Sequence, residues 1–254
     1  MESYTPTTVG IWQRALAQPA LSVAAAHVWR ASLDPGQRGL AALAQFLSPD
    51  ERSRASRFQF QRDRDRFVAA RGILRVILGG YVGASPDQLT FSYGPRGKPF
   101  LAGTGTGLLR FNLAHSQGLA LYAFAPDGNI GIDMEALRPV PDAEQIVDRF
   151  MSPSERAEFH SLPGDQKPRA FFHCWTQKEA FIKAVGDGLS LPLDRFDVRV
   201  APDKPAGLLR IDGDPESARH WLMQSLYPAP GFLGALACDR PHALVLWEWN
   251  GSEP

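Results

Sequence analysis

A repeated helix-start motif constrains this 254-residue chain more than any other feature of its sequence. FLSPDER begins at Phe46, and FMSPSER begins at Phe150, 104 residues later. In each copy, Ser-Pro-x-Glu provides an N-cap serine, a proline at the first helical position and a glutamate that satisfies the backbone of the cap. The same offset carries Phe67 onto Phe171. The repeat therefore predicts two related halves, each with a helix packed on strands; coincidence between two ordinary helix starts is the alternative.

A turn cluster at Pro126–Asn129 marks the expected boundary between these halves. It separates two apolar runs, Leu119–Phe124 and Ile130–Met134, and this pattern predicts a hairpin. We therefore expect an α+β fold with an N-terminal half of residues 1–126 and a C-terminal half of residues 127–254, related by a pseudo-twofold axis. A site shared by duplicated halves is expected in the cleft between them.

Composition argues against several classes of function. Lys plus Arg and Asp plus Glu both total 27, so no basic surplus favours nucleic acid or an anionic membrane as a partner. Cys174 and Cys238 form no metal-ligand spacing, which argues against a zinc site or a disulfide framework and fits a reducing compartment. The sequence begins without the pattern of a signal peptide, and no apolar stretch approaches the roughly 20 residues that span a bilayer. These features predict a soluble, cytoplasmic protein.

Residues 130–135 read Ile-Gly-Ile-Asp-Met-Glu and predict a strand whose two faces differ. Alternation places Gly131, Asp133 and Glu135 on one face and the three apolar side chains on the other. Neighbouring carboxylates repel each other unless water or a cation lies between them, and Mg²⁺ favours such an oxygen environment together with substrate phosphates. A solvated strand end is the alternative interpretation of this segment taken alone.

Residues 171–185 predict a helix that ends at Gly186, because glycine is common just past a helix C-terminus. Glu179 and Lys183 lie together on a face adjacent to the apolar stripe. An ordinary ion pair that stabilises the helix by about 0.2–0.5 kcal/mol is the alternative to a catalytic pair. Lys178 falls inside the apolar stripe, where only its stem is expected to be buried. The residues expected in the core are Phe171, Trp175 and Ile182.

Four motifs occur in a fixed order along the chain. They are Gly-Lys-Pro at 97–99, Phe-Asn-Leu-Ala-His-Ser at 111–116, Gly-Ile-Asp-Met-Glu at 131–135 and Trp-x-x-Lys-Glu-Ala-x-x-Lys-Ala-x-Gly-x-Gly-Leu-Ser-Leu-Pro-Leu at 175–193. Together they resemble the signature of the 4′-phosphopantetheinyl transferase superfamily, and in particular its larger, surfactin-synthetase-activating type. The resemblance covers roughly residues 45–200. It implies a single-chain pseudo-dimer of two α+β halves with coenzyme A bound between them.

The resemblance also implies an activity and a set of site residues. Family members move the phosphopantetheine arm of coenzyme A onto a serine of an acyl or peptidyl carrier protein and release 3′,5′-ADP. The residues implied as catalytic are Glu179, Lys183 and Asp133. The implied ligands of Mg²⁺, or of Mn²⁺, are Asp133, Glu135 and Glu179. The implied contacts to coenzyme A, including its 3′-phosphate, are Arg54, Arg66, Lys98, His115 and Lys183.

Two positions depart from the family pattern near the implied nucleotide contacts. Glu51 stands where well-studied relatives carry a lysine, and Ala114 replaces a common serine or threonine before His115. Considered alone, the implied arginines also fit surface ion pairs, because their helix carries two aspartates. His115 alone fits a structural histidine, and Lys98 alone fits an ordinary loop lysine.

Two other functions share parts of this pattern. A metal-dependent pyrophosphohydrolase of coenzyme A or another nucleotide would use the same carboxylates, and a duplicated scaffold could bind carrier domains without chemistry. The chain has no GxSxG elbow and no Walker A motif, and Gly103–Gly107 is expected to be a surface loop. Carrier docking is expected near Leu137–Phe150, with Arg138 and Arg149 as contacts. A pseudo-dimer needs no partner subunit, so we expect a monomer.

Overall fold

The computed structural model describes residues 11–15, 19–94, 97–103, 109–186, 191–240 and 242–251. Most of the surface loop expected at 103–107 and the motif residues 187–190 lie outside the described residues. Within the described ranges, no helix is long and apolar enough to cross a bilayer.

The first half contains six strands and three helices in its described part. The chain begins with β1 (Gln13–Arg14) and β2 (Ala25–Ser32). The helices follow as α1 (Gly36–Gln45), α2 (Pro49–Ala55) and α3 (Gln61–Val82), and a short 3-10 helix occupies Pro86–Gln88. The remaining strands are β3 (Phe91–Tyr93), β4 (Pro99–Leu101), β5 (Arg110–Ser116) and β6 (Leu119–Ala125).

The second half repeats this order of elements. It begins with β7 (Ile130–Ala136), followed by α4 (Ala143–Phe150), α5 (Pro153–Ser161) and α6 (Lys167–Val185). A 3-10 helix at Leu193–Arg195 and another at Glu216–Ala218 lie among the later strands β8 (Phe196–Val198), β9 (Leu208–Ile211), β10 (Leu222–Leu226), β11 (Phe232–Cys238) and β12 (Ala243–Glu248). Each half thus runs from one strand through three helices and a 3-10 helix to a short strand pair and two longer strands. This order confirms the predicted duplication and the α+β class.

The two main sheets share one antiparallel arrangement but differ at one edge. β2-β6-β5 in the first half corresponds to β7-β11-β10 in the second. On the outer edge of β2, β12 pairs in parallel, and β1 pairs in parallel with β12. The last strand, β12, therefore crosses the predicted division at residues 126 and 127 and returns to the first sheet, and the division itself stays a prediction. The return has a physical benefit, because it covers the backbone groups of an otherwise open sheet edge.

The turn at residues 126–129 does not close the predicted hairpin. β6 is paired on both edges, by β2 and β5, so β7 instead joins β11 in the other sheet. Gly128 has φ +73°, and the backbone and side-chain amides of Asn129 both donate to the Asp239 carboxylate at 2.7 and 2.8 Å. These contacts direct the chain from one half into the other. The error has a partly non-local cause, because the preceding strand β5 fills one edge of β6 and β2, which is distant in sequence, fills the other.

Three apolar clusters hold these layers together. One packs α3 against the first sheet, with Ile73 and Tyr122 fully buried. A second packs α6 against the other sheet around Phe172. The third joins the two sheets to each other, and it includes Leu121 of β6 and Ile132 of β7. The halves are therefore connected by a continuous apolar layer, which fixes β7 next to the first sheet.

A buried ion pair centred on Glu51 organises the helices of the first half. Glu51 accepts from the backbone N–H of Ser48, as a capping box requires, and its carboxylate also accepts from Arg71 Nε and Arg75 Nε, each at 2.7 Å. Arg75 continues with Nη1 donating to the carbonyls of Pro86 and Leu89, both at 2.9 Å. Burial alone would raise the pKa of Glu51, but the two guanidinium groups outweigh it and lower the pKa. One carboxylate thus ties α2, α3 and the following 3-10 helix together.

The second half contains an equivalent buried ion pair, formed by Glu155 and Lys178. Glu155 completes a capping box with Ser152 and lies 2.8 Å from the Lys178 ammonium. Lys178 also donates to the carbonyls of Leu193 and Phe196, each at 2.7 Å. The expectation that only the lysine stem is buried is wrong, since the whole side chain is enclosed. The charge is tolerated there because a carboxylate and two carbonyls satisfy it.

We expect Glu51→Gln to lower the free energy of unfolding by about 3–5 kcal/mol, because it leaves two buried guanidinium groups without their counter-charge. Urea unfolding followed by circular dichroism measures this change. Asp50→Asn, on the same helix turn but exposed, provides the matched control. A loss of less than about 1 kcal/mol for Glu51→Gln, the range of a surface ion pair, would contradict the central role of this pair.

Candidate active site

The close contact between β7 and α6 creates the candidate site. Ile132 and the other apolar residues of β7 enter the core between the sheets, whereas the opposite face of the strand lies under α6. A Cβ atom at Gly131 would overlap the carbonyl oxygen of Ala180 and the backbone of Ala184. Only glycine lets the helix approach so closely, and this approach places the Lys183 side chain over Asp133. The alternating pattern predicted for this strand is therefore confirmed.

Asp133 is the most deeply buried carboxylate of the site. Its Oδ1 accepts from Lys183 Nζ at 2.7 Å, while Oδ2 is buried without a hydrogen-bond partner among the described residues. Burial raises the pKa of Asp133 to about 6; Lys183 opposes this shift, and the charges of Glu179 and Glu135 add to it. A buried carboxylate oxygen without a partner is costly and calls for an explanation. A bound cation would explain this oxygen, because a cation would neutralise its negative charge.

Glu135 is oriented by groups on both sides of the site. Its Oε2 accepts from Ser116 Oγ at 2.9 Å and from Arg138 Nη1 at 3.0 Å. The same Ser116 hydroxyl accepts from the Ala136 backbone N–H at 3.2 Å. A serine of the first half therefore fixes a carboxylate of the second half. The motif at residues 111–116 includes this serine, but the sequence resemblance implied a role only for His115.

The remaining groups of the site influence one another electrostatically. Burial raises the pKa of Glu179, with Lys183 opposing and Glu135 adding to the shift. Burial lowers the pKa of His115, and Lys183 lowers it further, while Glu135 opposes. The charges of Lys183 and Glu135 thus act on the pKa of both Glu179 and His115. The implied catalytic lysine therefore contacts one implied metal ligand, Asp133, directly, and the other two, Glu135 and Glu179, act on Asp133 through their charge.

A cleft of about 800 Å³ opens beside this cluster in the first half. His115 lines it together with four arginines, which are Arg54, Arg62, Arg66 and Arg71. Arg66 donates to both oxygens of Asp34, each at 3.1 Å, and the Arg54 guanidinium lies 5.4 Å from the centroid of the Phe67 ring. Three of the implied nucleotide contacts therefore share one cation-rich cleft.

Neither Glu51 nor the implied nucleotide contact Lys98 lines this cleft. Glu51, which departs from the family pattern, is enclosed between two arginines and does not face the cleft. Lys98 points its ammonium group at backbone carbonyls of the second half, and it borders a separate cavity of about 360 Å³. The contact of Lys98 with the nucleotide stays a prediction.

Side chains of the first half bond to the free edge of β7. Among the described strands, β7 pairs only with β11, and its other edge lies beside β5. There Asn112 Oδ1 accepts from the Ile132 backbone N–H at 2.9 Å, and Ser116 accepts from Ala136. Asn112 is buried, so this bond is protected from water. These contacts hold the carboxylate strand in register, and sequence reasoning did not find them.

The donor set fits a hard divalent cation that arrives together with phosphate. Among the described residues, no group of three or more His, Cys, Asp and Glu side chains is arranged closely enough to hold a metal ion alone. Mg²⁺ rarely needs such a cage, since it keeps several waters and uses one or two carboxylates plus substrate phosphates. The unpartnered Oδ2 of Asp133 supplies one such ligand. Glu135 and Glu179 lie near enough to influence its pKa.

Comparison with known proteins identifies the family. Residues 31–126 match the family described as 4′-phosphopantetheinyl transferase, N-terminal, and residues 129–239 match the 4′-phosphopantetheinyl transferase superfamily. The 4′-phosphopantetheinyl transferase HetI of Nostoc sp. is 45% identical over 213 residues, covering 83% of this chain and 86% of that protein. The 4′-phosphopantetheinyl transferase Sfp of Bacillus subtilis is 31% identical over 196 residues, covering 77% and 84%. The chain therefore belongs to the 4′-phosphopantetheinyl transferase superfamily.

Proposed function

We propose that this chain moves the phosphopantetheine arm of coenzyme A onto a serine of a carrier protein and releases 3′,5′-ADP. The observation that carries the proposal is the buried Asp133 carboxylate, which has one oxygen on Lys183 and the other without a partner. A cation-rich cleft begins beside it, lined by His115 and several arginines. A metal-assisted phosphoryl-type transfer needs such a combination of carboxylates and cations. Family membership supports the same reaction.

The nucleotide end of coenzyme A occupies the arginine-lined cleft in this proposal. Arg54, Arg66 and His115 supply the positive or hydrogen-bonding groups that phosphate oxygens accept from. A phosphate of coenzyme A would then either bind Arg66 together with its present partner, Asp34, or displace Asp34. The Asp34 carboxylate is largely exposed. An exposed ion pair of this kind contributes little stability, so its rearrangement costs little.

Asp133, Glu135 and Glu179 would hold Mg²⁺, with Mn²⁺ as an acceptable substitute because both accept carboxylate and water ligands. The ion, when bound, supplies positive charge to the pyrophosphate oxygens. The chain's own contribution is orientation. Ser116 and Arg138 fix Glu135, and Lys183 fixes Asp133.

The transfer forms a bond between the carrier serine oxygen and the phosphorus that carries pantetheine, and it breaks the bond from that phosphorus to 3′,5′-ADP. Lys183 neutralises the charge that develops on the departing oxygen. Glu179 accepts the serine proton, directly or through a water. Burial raises the pKa of Glu179, which makes it a better proton acceptor than an exposed carboxylate, although a metal bond would oppose this role.

The carrier protein docks near residues 137–150 in this proposal. Leu137 and Phe150 are exposed apolar side chains, and the Arg149 guanidinium lies over the Phe150 ring. Arginines around an apolar patch suit an acidic helical partner. Because one chain supplies both halves, we propose that it acts as a monomer, and a reducing cytoplasm suits its two free, buried cysteines.

The direct test is the intact mass of an apo carrier protein after incubation with this chain, coenzyme A and Mg²⁺. We expect a gain equal to one phosphopantetheinyl group. Asp133→Ala should abolish the gain, because it removes the buried carboxylate that the proposed ion needs. Glu216→Gln, at an exposed glutamate distant in sequence from the site motifs, is the matched control and should transfer normally.

The alternative functions give different products in that assay. Free 3′,5′-ADP formed without any change in carrier mass would indicate a pyrophosphohydrolase, because water would then replace the serine. If neither a modified carrier nor free 3′,5′-ADP forms with acyl and peptidyl carriers, the result would favour a scaffold that binds carrier domains without chemistry. Either result would reject the proposed transfer.

A second test separates catalysis from coenzyme A binding. Glu179→Gln should lower kcat by about 10²- to 10⁴-fold, the usual contribution of a general base, because the amide cannot accept the serine proton. Calorimetry without Mg²⁺ should show an almost unchanged Kd for coenzyme A, since Glu179 does not border the arginine-lined cleft. An unchanged kcat would remove Glu179 from the mechanism, and a large rise in Kd would assign it to substrate binding.

A further inference from the structure

The Lys98 ammonium group reaches from the first half into the two elements that carry the catalytic pair. Its Nζ donates to the carbonyls of Lys183 at 2.5 Å, Ala184 at 3.2 Å and Ile130 at 3.2 Å. The first two carbonyls lie in the last turn of α6, and the third lies at the start of β7. A lysine ammonium has three N–H donors. All three are used here, so none is left for a phosphate oxygen.

The last turn of α6 needs such a partner. The final carbonyls of a helix have no intrahelical donor, and helix ends open more readily than helix interiors. α6 ends at Val185, followed by Gly186 in the left-handed conformation, so Lys183 lies within this last turn. A cation at a helix C-terminus also interacts favourably with the helix dipole. Lys98 therefore stabilises the turn from which the Lys183 side chain projects.

The same ammonium group fixes the distance between two catalytic elements. Asp133 lies on β7 three residues after Ile130, and its partner Lys183 lies on α6. Lys98 thus joins the backbones of the strand and the helix, while the Asp133–Lys183 ion pair joins their side chains. Burial lowers the pKa of Lys98 to about 8; Arg110 adds to this shift and Asp239 opposes it. The group therefore keeps its charge at neutral pH.

We infer that Lys98 is a positioning residue for the transferase, holding the end of α6 and the start of β7 so that Lys183 meets Asp133 and the reacting phosphate. The inference rests on the proposed function. It differs from a nucleotide contact in its consequence, because loss of Lys98 should affect turnover through Lys183 rather than affinity for coenzyme A.

Amide hydrogen exchange tests the structural part without any need for activity. In Lys98→Met, the amides of residues 182–186 should exchange about tenfold faster or more, because the last turn of α6 opens more often. Arg110→Met is the matched control: Arg110 borders the same cavity and its charge acts on Lys98, yet no hydrogen bond to α6 is described for it. The control should leave exchange in 182–186 unchanged. If the Met variant does not fold, Lys98→Gln, which keeps a shorter donor, should show an intermediate increase.

Steady-state kinetics and a double-mutant cycle test the catalytic part. Lys98→Met should lower kcat by about 10- to 100-fold through misplacement of Lys183, with little change in KM for coenzyme A. In a Lys183→Met background, where that misplacement no longer matters, adding Lys98→Met should lower kcat by less than about threefold.

Three results would overturn the inference. A higher KM for coenzyme A with normal kcat would assign Lys98 to the nucleotide. Losses that multiply fully in the double variant would show that Lys98 and Lys183 act independently. Unchanged hydrogen exchange in 182–186 would show that Lys98 does not hold the helix end, whatever the kinetics. Should the wild-type chain transfer nothing, the proposed function fails, but the exchange experiment still decides whether Lys98 holds α6.

Discussion

A buried carboxylate that meets a buried cation is the interaction on which each half of this structure depends. Glu51 and Glu155 both cap a short helix, reach the following long helix and meet a cation there. Those cations, Arg75 and Lys178, then each donate to two carbonyls, one at the first residue of the next 3-10 helix and one just after its end. Removal of one member leaves an unpaired buried charge, which is far more costly than the loss of a surface pair. The long helix is therefore held in one position across its sheet.

The buried ion pairs hold an equivalent long helix in each half, but the two helices present different side chains. In the first half, the long helix presents Arg66 to a cleft that suits phosphate groups. In the second half, the equivalent helix presents Glu179 and Lys183 to the carboxylate strand β7. The strands differ as well, because β12 covers the outer edge of β2 while the edge of β7 is bound by side chains of the first half. Duplication thus supplied the scaffold, and asymmetry at the edges distinguishes the surface where we propose the chemistry occurs.

The sequence predicted what local rules determine. Both capping boxes, the alternation of β7 and the end of α6 at Gly186 follow from backbone geometry within a few residues. The failures are non-local: the predicted hairpin at 126–129 and the partial burial expected of Lys178 were wrong because both depend on partners far along the chain. The return of β12 to the first sheet is non-local in the same way. The motif resemblance implied the site residues. It could not predict the hydrogen bonds of Asn112 and Ser116, because these depend on β5 packing beside β7.

The proposed function requires that carboxylates of the second half and cations of the first half form one site for coenzyme A. Phosphorus NMR of coenzyme A bound in the presence of Mn²⁺ tests it most directly, because paramagnetic broadening falls steeply with distance from the ion. We expect strong broadening of the pyrophosphate signals and weaker broadening of the 3′-phosphate signal, both lost in Asp133→Ala. Equal broadening of all three phosphorus signals, or broadening that persists in Asp133→Ala, would contradict the account, since the ion would then lie elsewhere.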